Sequence, residues 1–380
     1  MVYLDNAATT FPKPRSVYQT LSRAVSAYGA NPGRSGHSMS MSTAQAVYSS
    51  RSRCAEFFGA EPENTVFTLN CTHALNMAIK GLARPGAHFV ISDIEHNAVV
   101  RPVHALTEYG MEYSIFESSP DTGETVRNAE NAIRRNTAAL ICTAAGNVTG
   151  ARLPLKELAE LCKRKRICFI VDAAQGAGLL PLSLKDGINI ICTAGHKGLY
   201  GPMGTGLMLT DGSFPLRTII EGGTGSASES LEQPQFLPDR FESGTINTPG
   251  AIALGAGVDF VKARTPERIL KHETELCRSF CASARRIPGV RLYTDIDEHP
   301  ERYAPLVPFN IEGVPSGEAS IKLSDMGFYM RGGLHCAPLA HKKLGTLETG
   351  VIRFAPSAFN TPEDVSRLIW ALRKRRWDAK

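Results

Sequence analysis

Apolar residues along the chain gather in short runs with helical patterns between them. Apolar and β-branched positions cluster at 65–69, 88–92, 113–116, 139–143, 167–171, 188–193 and 206–210, each run having the length of a buried strand. Between several of them the spacing changes to three and four, as at Leu155, Leu158, Ala159, Leu161 and Cys162, which predicts helices with one apolar face. This alternation predicts an α/β fold: a mainly parallel, seven-stranded sheet covered by helices on both faces. Ligands of such sheets bind at the carboxyl ends of the strands, so the residues just after each run carry most of the functional information. Residues 214–247 turn Gly/Ser-rich and irregular, and a loop of that length is usually functional. Helical patterns resume from 251 to about 286, shorter strands follow, and a last helix places Val365, Leu368, Ile369 and Leu372 on one face. The expected organisation is a large domain over 13–255 and a smaller α+β domain built from 1–12 and 256–380.

Composition narrows the class. With 43% hydrophobic and 21% charged residues over 380 positions, the chain can bury a core without covalent staples. No apolar run approaches the ~18 residues of a membrane span. The opening MVYLDNAATTFPKP lacks a basic region followed by an apolar stretch, so a cytoplasmic protein with no membrane contact is expected. The net charge of +5 is concentrated at Lys163, Arg164, Lys165 and Arg166 and at Arg373, Lys374, Arg375, Arg376 and Lys380. Cations in a helix's last turn complement its dipole, and aromatics are too few to interleave with them, so no nucleic-acid partner is expected. The nine cysteines form no C-x-x-C pair, and an odd count implies no closed disulfide framework. Cys277 and Cys281 lie four apart with no cluster of other ligands beside them. They read as core residues, and no metal is expected.

Chemistry concentrates in a few segments. In TAGHKGLYGPMGTG (193–206) a lysine, Lys197, follows a buried strand inside a glycine-dense turn, where glycines let the backbone approach a ligand closely. The preceding strand, ICFIVDAAQ, ends in Asp172 with Gln175 three residues on. Alone, Asp172 has a competing reading as the cap of a following helix. A strand ending in Asp-x-x-Gln, followed about 25 residues later by a strand ending in His-Lys, is more specific. Asp172 then holds a pyridine nitrogen protonated while Lys197 joins an aldehyde carbon, the pairing that pyridoxal phosphate requires as an electron sink.

On these residues the chain resembles the class-V aminotransferase superfamily, and within it the cysteine desulfurases and selenocysteine lyases. The resemblance runs from YLDNAATT (3–10) to RFAPS (353–357). It implies pyridoxal-phosphate fold type I and a homodimer with active sites at the subunit interface. Cys71 and Thr72, in NCTHALN, look like the phosphate-binding turn at a helix N-terminus, where an ordinary threonine cap is the competing reading. The resemblance makes His96, in EHN, the histidine stacked on the ring. Asn147 and Gln175 fall near the ring's phenolic oxygen, and His196 and Lys197 match the phosphate contact and the cofactor-bearing lysine. Thr245, in RFESGT, matches a threonine reaching across the dimer to the phosphate. The family commonly has serine where this chain has Ala194, so either one phosphate contact is missing or Thr193 replaces it.

The segment MRGGLHCAPL places Cys336 after two glycines and a histidine and before a proline, a sequence suited to a mobile loop. Arg331 or His335 nearby would favour its thiolate. By resemblance Cys336 is the persulfide-forming cysteine and Arg353 pairs with the substrate carboxylate, a task that suits its planar fork. Asn31, Arg34 and His37, in GANPGRSGH, lie where family members line the site, and an N-P-G turn explains part of that segment equally well. The expected activity is a pyridoxal-phosphate-dependent cysteine desulfurase that passes its persulfide sulfur to an acceptor protein or small thiol. A selenocysteine lyase shares every motif named, an aminotransferase needs no cysteine at 336, and a silent binding protein has no use for Lys197, Asp172 and Cys336 together.

Overall fold

The computed structural model describes residues 1–32, 36–374 and 377. Its strands are β1 (Val2–Tyr3), β2 (Thr65–Thr68), β3 (His88–Ser92), β4 (Glu112–Phe116), β5 (Thr137–Thr143), β6 (Cys168–Asp172), β7 (Ile190–Ala194), β8 (Gly206–Thr210), β9 (Val290–Leu292), β10 (Val307–Ile311), β11 (Phe328–Tyr329), β12 (Arg331–Gly333) and β13 (Val351–Phe354). Seven of them form one sheet in the order β2-β8-β7-β6-β5-β3-β4. β8 runs antiparallel to both neighbours and every other pairing is parallel, so the expected mainly parallel seven-stranded sheet is present.

The central strands are apolar on both faces because both faces are covered. Leu140, Cys142, Phe169, Val171 and Ile191 pack into one apolar cluster, while Ala139, Ile141, Cys168, Ile170, Ile190 and Cys192 pack into another. Successive residues point to opposite faces of a sheet, which explains how one continuous run of sequence supplies two cores. Helix Leu155–Lys165 buries Leu158, Ala159, Leu161 and Cys162, as its spacing predicts, and ends with Arg166 in the left-handed conformation.

A second assembly follows in sequence. Strands β12-β13-β10-β9 form an antiparallel sheet, and its apolar cluster joins Leu276, Phe280, Phe309, Phe354, Leu368 and Leu372 to Val2 and Leu4 from the N-terminus. β1 pairs with β11, and Asp5 bridges to Ala355. The first residues are therefore stitched to the C-terminal part of the chain. Helix Thr248–Arg264 packs instead on helices Arg15–Ala27 and Ser38–Phe57. Among the described residues no helix is long and apolar enough to cross a membrane.

Candidate active site

The parallel strands deliver their following residues to one end of the large sheet. Thr68 leads to Cys71 and Thr72, Ser92 to Glu95 and His96, and Thr143 to Asn147. β6 ends in Asp172 itself, and β7 leads to His196 and Lys197. Residues from these five connections, with Ala194 and Gln175, line one cavity. The separate motifs of the sequence thus become one site, for the topological reason that makes this end of an α/β sheet the binding end.

At its centre, Asp172 is 3% exposed. Its Oδ1 accepts the backbone N–H of Ala174 at 2.9 Å and the Cys71 thiol at 3.4 Å, and no described residue bonds Oδ2. Burial pushes the Lys197 ammonium below its ordinary pKa, with Asp172 opposing the shift. The turn that carries Lys197 needs its glycines. A Cβ on Gly198 would lie 2.2 Å from the Ala177 carbonyl oxygen, and one on Gly178 would lie 2.1 Å from the Gly198 oxygen. Two backbones touch directly behind the lysine, and neither side has room for a side chain.

Burial shifts the histidines at the site away from their charged form. His96 caps helix Asn97–Ala105, its Nδ1 accepting the Ala98 N–H at 2.9 Å, which leaves the proton on Nε2. Burial lowers its pKa, with Asp172 working the other way. His196 is lowered to about 4 by burial and then by Lys197 and Lys13. Beneath them the fully buried Glu95 accepts bonds from Ser92 and from the Thr143 N–H and is raised to about 8 by burial.

Ala194 lines the cavity, but Thr193 does not take its place. Adjacent strand residues face opposite ways, and the Thr193 hydroxyl lies fully buried, donating to the Ala173 carbonyl at 3.4 Å. Helix Cys71–Gly81 is capped by Asn70, which accepts from the His73 N–H at 2.9 Å. The competing reading of Thr72 as the cap therefore falls away, and the N–H groups of Cys71 and Thr72 stand at the helix's first turn. The Cys71 thiol, however, turns inward to Asp172.

Cys336 lies close by through its main chain. Its carbonyl accepts the Asn97 N–H at 2.7 Å, and the carbonyl of His335 accepts the Asn147 side-chain amide at 2.7 Å. His335 and Cys336 both have positive φ, +48° and +56°, a conformation that costs a non-glycine residue roughly 1 kcal/mol each. Those bonds, with Ala337 N–H to Leu334 O, hold what reads in sequence as a mobile loop. Cys336 is exposed and the other eight cysteines are buried. His335 supplies it no positive charge: the ring is 2% exposed, Nε2 bonds the Val351 carbonyl, and burial lowers its pKa to about 3.

Arg353 is buried on β13, directly opposite the exposed Arg331 on β12. Its NH1 donates to the Asn147 carbonyl at 2.8 Å and its NH2 to Asp5 at 2.9 Å. Asn147 therefore touches the cavity, the Cys336 turn and Arg353 at once. Among the buried polar atoms left without a described partner are Asn147 Oδ1, His196 Nδ1, His335 Nδ1 and Arg353 Nε. Such orphans are rare in folded proteins, and this group lies around one cavity and the turn beside it.

Thr245 and Asn31 meet elsewhere. Asn31 Nδ2 lies 3.5 Å from Thr245 Oγ1, and both line a second groove that shares no residue with the Lys197 cavity. His37 caps helix Ser38–Phe57, and Arg34 lies outside the described residues. Sequence reasoning missed two contacts that the structure makes plain, Asp5 on Arg353 and Lys13 on the His196 carbonyl at 2.6 Å. Asp5 lies in the quoted opening motif, yet nothing local pairs it with a residue nearly 350 positions away. Lys13, lowered to about 8 by burial, reads in sequence as a surface lysine between prolines.

Comparison with known proteins gives the site a family. The aminotransferase class-V profile matches residues 2–368. A probable cysteine desulfurase of Methanothermobacter thermautotrophicus is 31% identical, over 97% of this chain and 92% of its own length. The cysteine desulfurase IscS of Clostridium botulinum is 29% identical, over 98% of this chain and 94% of its own. The apo structure of a cysteine desulfurase from Thermococcus onnurineus superposes with a TM-score of 0.91 at 27% identity, covering 98% of this chain and 94% of the other. The chain belongs to the class-V aminotransferase family, among its cysteine desulfurases.

Proposed function

We propose that the protein is a pyridoxal-phosphate-dependent cysteine desulfurase that moves the sulfur of free cysteine onto Cys336 and releases alanine. The observation that carries this reading is that a desolvated lysine and a buried carboxylate share one cavity, and that its lining residue Asn147 is tied to the turn of the exposed Cys336.

The residues present fit the cofactor. Asp172 keeps one carboxylate oxygen unengaged for the ring nitrogen. Asn147 and Gln175 line the same cavity, where the resemblance places the phenolic oxygen, and His96 offers a ring to stack. The first turn of helix Cys71–Gly81 and His196 suit a phosphate. Thr245, which lines a groove sharing no residue with the Lys197 cavity, suits the phosphate of a partner copy in a homodimer. Once bound, pyridoxal phosphate supplies the electron sink that makes the substrate's α-proton removable.

The chain's residues do the rest. Arg353 binds the substrate carboxylate with its fork, reinforced by the charge of Arg331. Lys197, whose burial favours the neutral amine, takes the α-proton. Asp172 holds the ring proton in place. The Cys336 sulfur attacks the substrate sulfur: an S–S bond forms as the substrate C–S bond breaks, and its electron pair stays on the β-carbon, which takes a proton; a second proton returns from Lys197 to the α-carbon, and alanine leaves. The persulfide then passes to a thiol acceptor, a small molecule or a protein. Incubation of the holoenzyme with cysteine and a reducing thiol should yield alanine and sulfide in equal amounts. A keto acid in place of alanine would assign the protein to the transaminating branch instead.

A further inference from the structure

We infer that the carboxylate of Asp5 is an internal stand-in for the substrate's carboxylate, which must displace it from Arg353 in order to bind. This rests on the desulfurase reading and adds a determinant of substrate affinity to it. The argument lies in how the guanidinium is shared. NH1 is committed to the Asn147 carbonyl. The edge formed by Nε and NH2 is the one a carboxylate fills with two parallel bonds. Here Asp5 fills it halfway, with Oδ1 on NH2 at 2.9 Å, while Nε is buried and has no described partner. A substrate carboxylate taking both donors would satisfy the orphan and evict Asp5.

The surroundings favour an exchange rather than a permanent pair. Arg353 is 2% exposed and Arg331 faces it, so an anion is needed there whenever substrate is absent. The side chain of Asp5 is 20% exposed and bonds no other described residue, so water is within its reach. Its backbone is anchored independently: its carbonyl takes the Ala8 and Thr9 N–H groups, Asn6 bonds Ala355, and Thr10 bonds the His196 carbonyl. Release is therefore a rotation of one side chain, with the segment around it fixed.

The test uses the holoenzyme as wild type, Asp5→Asn and Asp5→Ser. Read out are KM for cysteine and the dissociation constants of alanine and of alaninamide, which lacks the carboxylate, by calorimetry. Removing the competing anion should lower KM and the alanine dissociation constant by about tenfold, the scale of one charge-assisted hydrogen bond, and leave alaninamide unchanged. Unchanged or weaker alanine binding in a folded variant overturns the inference, as does an equal change for alaninamide. If Asp5→Asn does not fold, Asp5→Ser gives the same reading, since Asn removes the competing negative charge and Ser the charge and the contact together. Wild-type protein that binds neither cysteine nor alanine would contradict the desulfurase reading itself, a different failure.

Discussion

In the proposed reaction Lys197 and Cys336 act together, yet the chain holds them by different means. Lys197 sits in a turn fixed by contact, where Gly198 and Gly178 bring two backbones together and burial strips the ammonium of water. Cys336 sits at the surface in a doubly left-handed turn, between the buried His335 and Ala337. Discrete hydrogen bonds from Asn97 and Asn147 offset its strain. Proton transfer at carbon gains from a dry, rigid base, whereas a sulfur carrier must meet first a substrate and then an acceptor. In the proposed site, a lysine held by direct backbone contact is thus combined with a cysteine whose turn is tied by hydrogen bonds and whose side chain stays exposed.

Four experiments press on that contrast. Lys197→Ala should abolish turnover, by more than about a thousandfold on the scale of a lost general base and covalent link, while leaving the rate of Cys336 alkylation as in wild type. A matching change in alkylation would mean the two turns are one unit. Cys336→Ala should collapse cysteine desulfuration and leave cofactor absorbance intact. Selenocysteine cleavage should survive much better, since a selenol leaves without a nucleophile to accept it. Gly198→Ala should cost about 3 kcal/mol or more, the scale of overpacking against an immovable backbone, read by chemical denaturation. Asn147→Ala should leave stability closer to wild type and raise the alkylation rate of Cys336 a few-fold, as one tie of its turn is cut.

The smallest effect concerns the packed side alone. Behind Lys197, Tyr200 donates to the buried Glu273 at 3.3 Å and accepts the Ala358 N–H at 2.9 Å, and burial raises the Glu273 carboxyl to about 8. A raised folded-state pKa means that the native protein binds more protons than the unfolded chain between the ordinary carboxylate value and 8. The stability this gives is full at low pH and is lost as pH rises through that window. Glu273→Gln should therefore gain melting temperature relative to wild type as pH goes from 5 to 8, by a few degrees, with the difference levelling above. A difference independent of pH would show the carboxyl ionised throughout.

Much of this was legible in the sequence, for reasons that differ by region. The strands showed because both faces are buried, so that 139–143 and 168–172 read as continuous apolar runs. The residues after them stood out because a lysine or aspartate at the end of such a run has little reason to be there for folding. Contacts between distant segments stayed hidden, because hydrophobic period carries no information about which charge meets which. Asp5 on Arg353 and Cys71 on Asp172 are of that kind. Cys336 stood apart in the sequence by its setting and is the exposed one of the nine cysteines, but the ties that hold its turn come from Asn97 and Asn147, in other connections of the large sheet. The neutral state of His335 likewise follows from burial that no local pattern encodes.

The central claim is that sulfur passes through Cys336, and a single measurement addresses it. Holoenzyme is mixed with cysteine without any reducing thiol, quenched with an alkylating agent, digested and read by mass spectrometry. The account predicts one added sulfur atom on the peptide containing Cys336, formed in step with alanine, and unmodified peptides for the eight buried cysteines. Alanine formation with Cys336 unmodified, or the added sulfur on another cysteine, would contradict it.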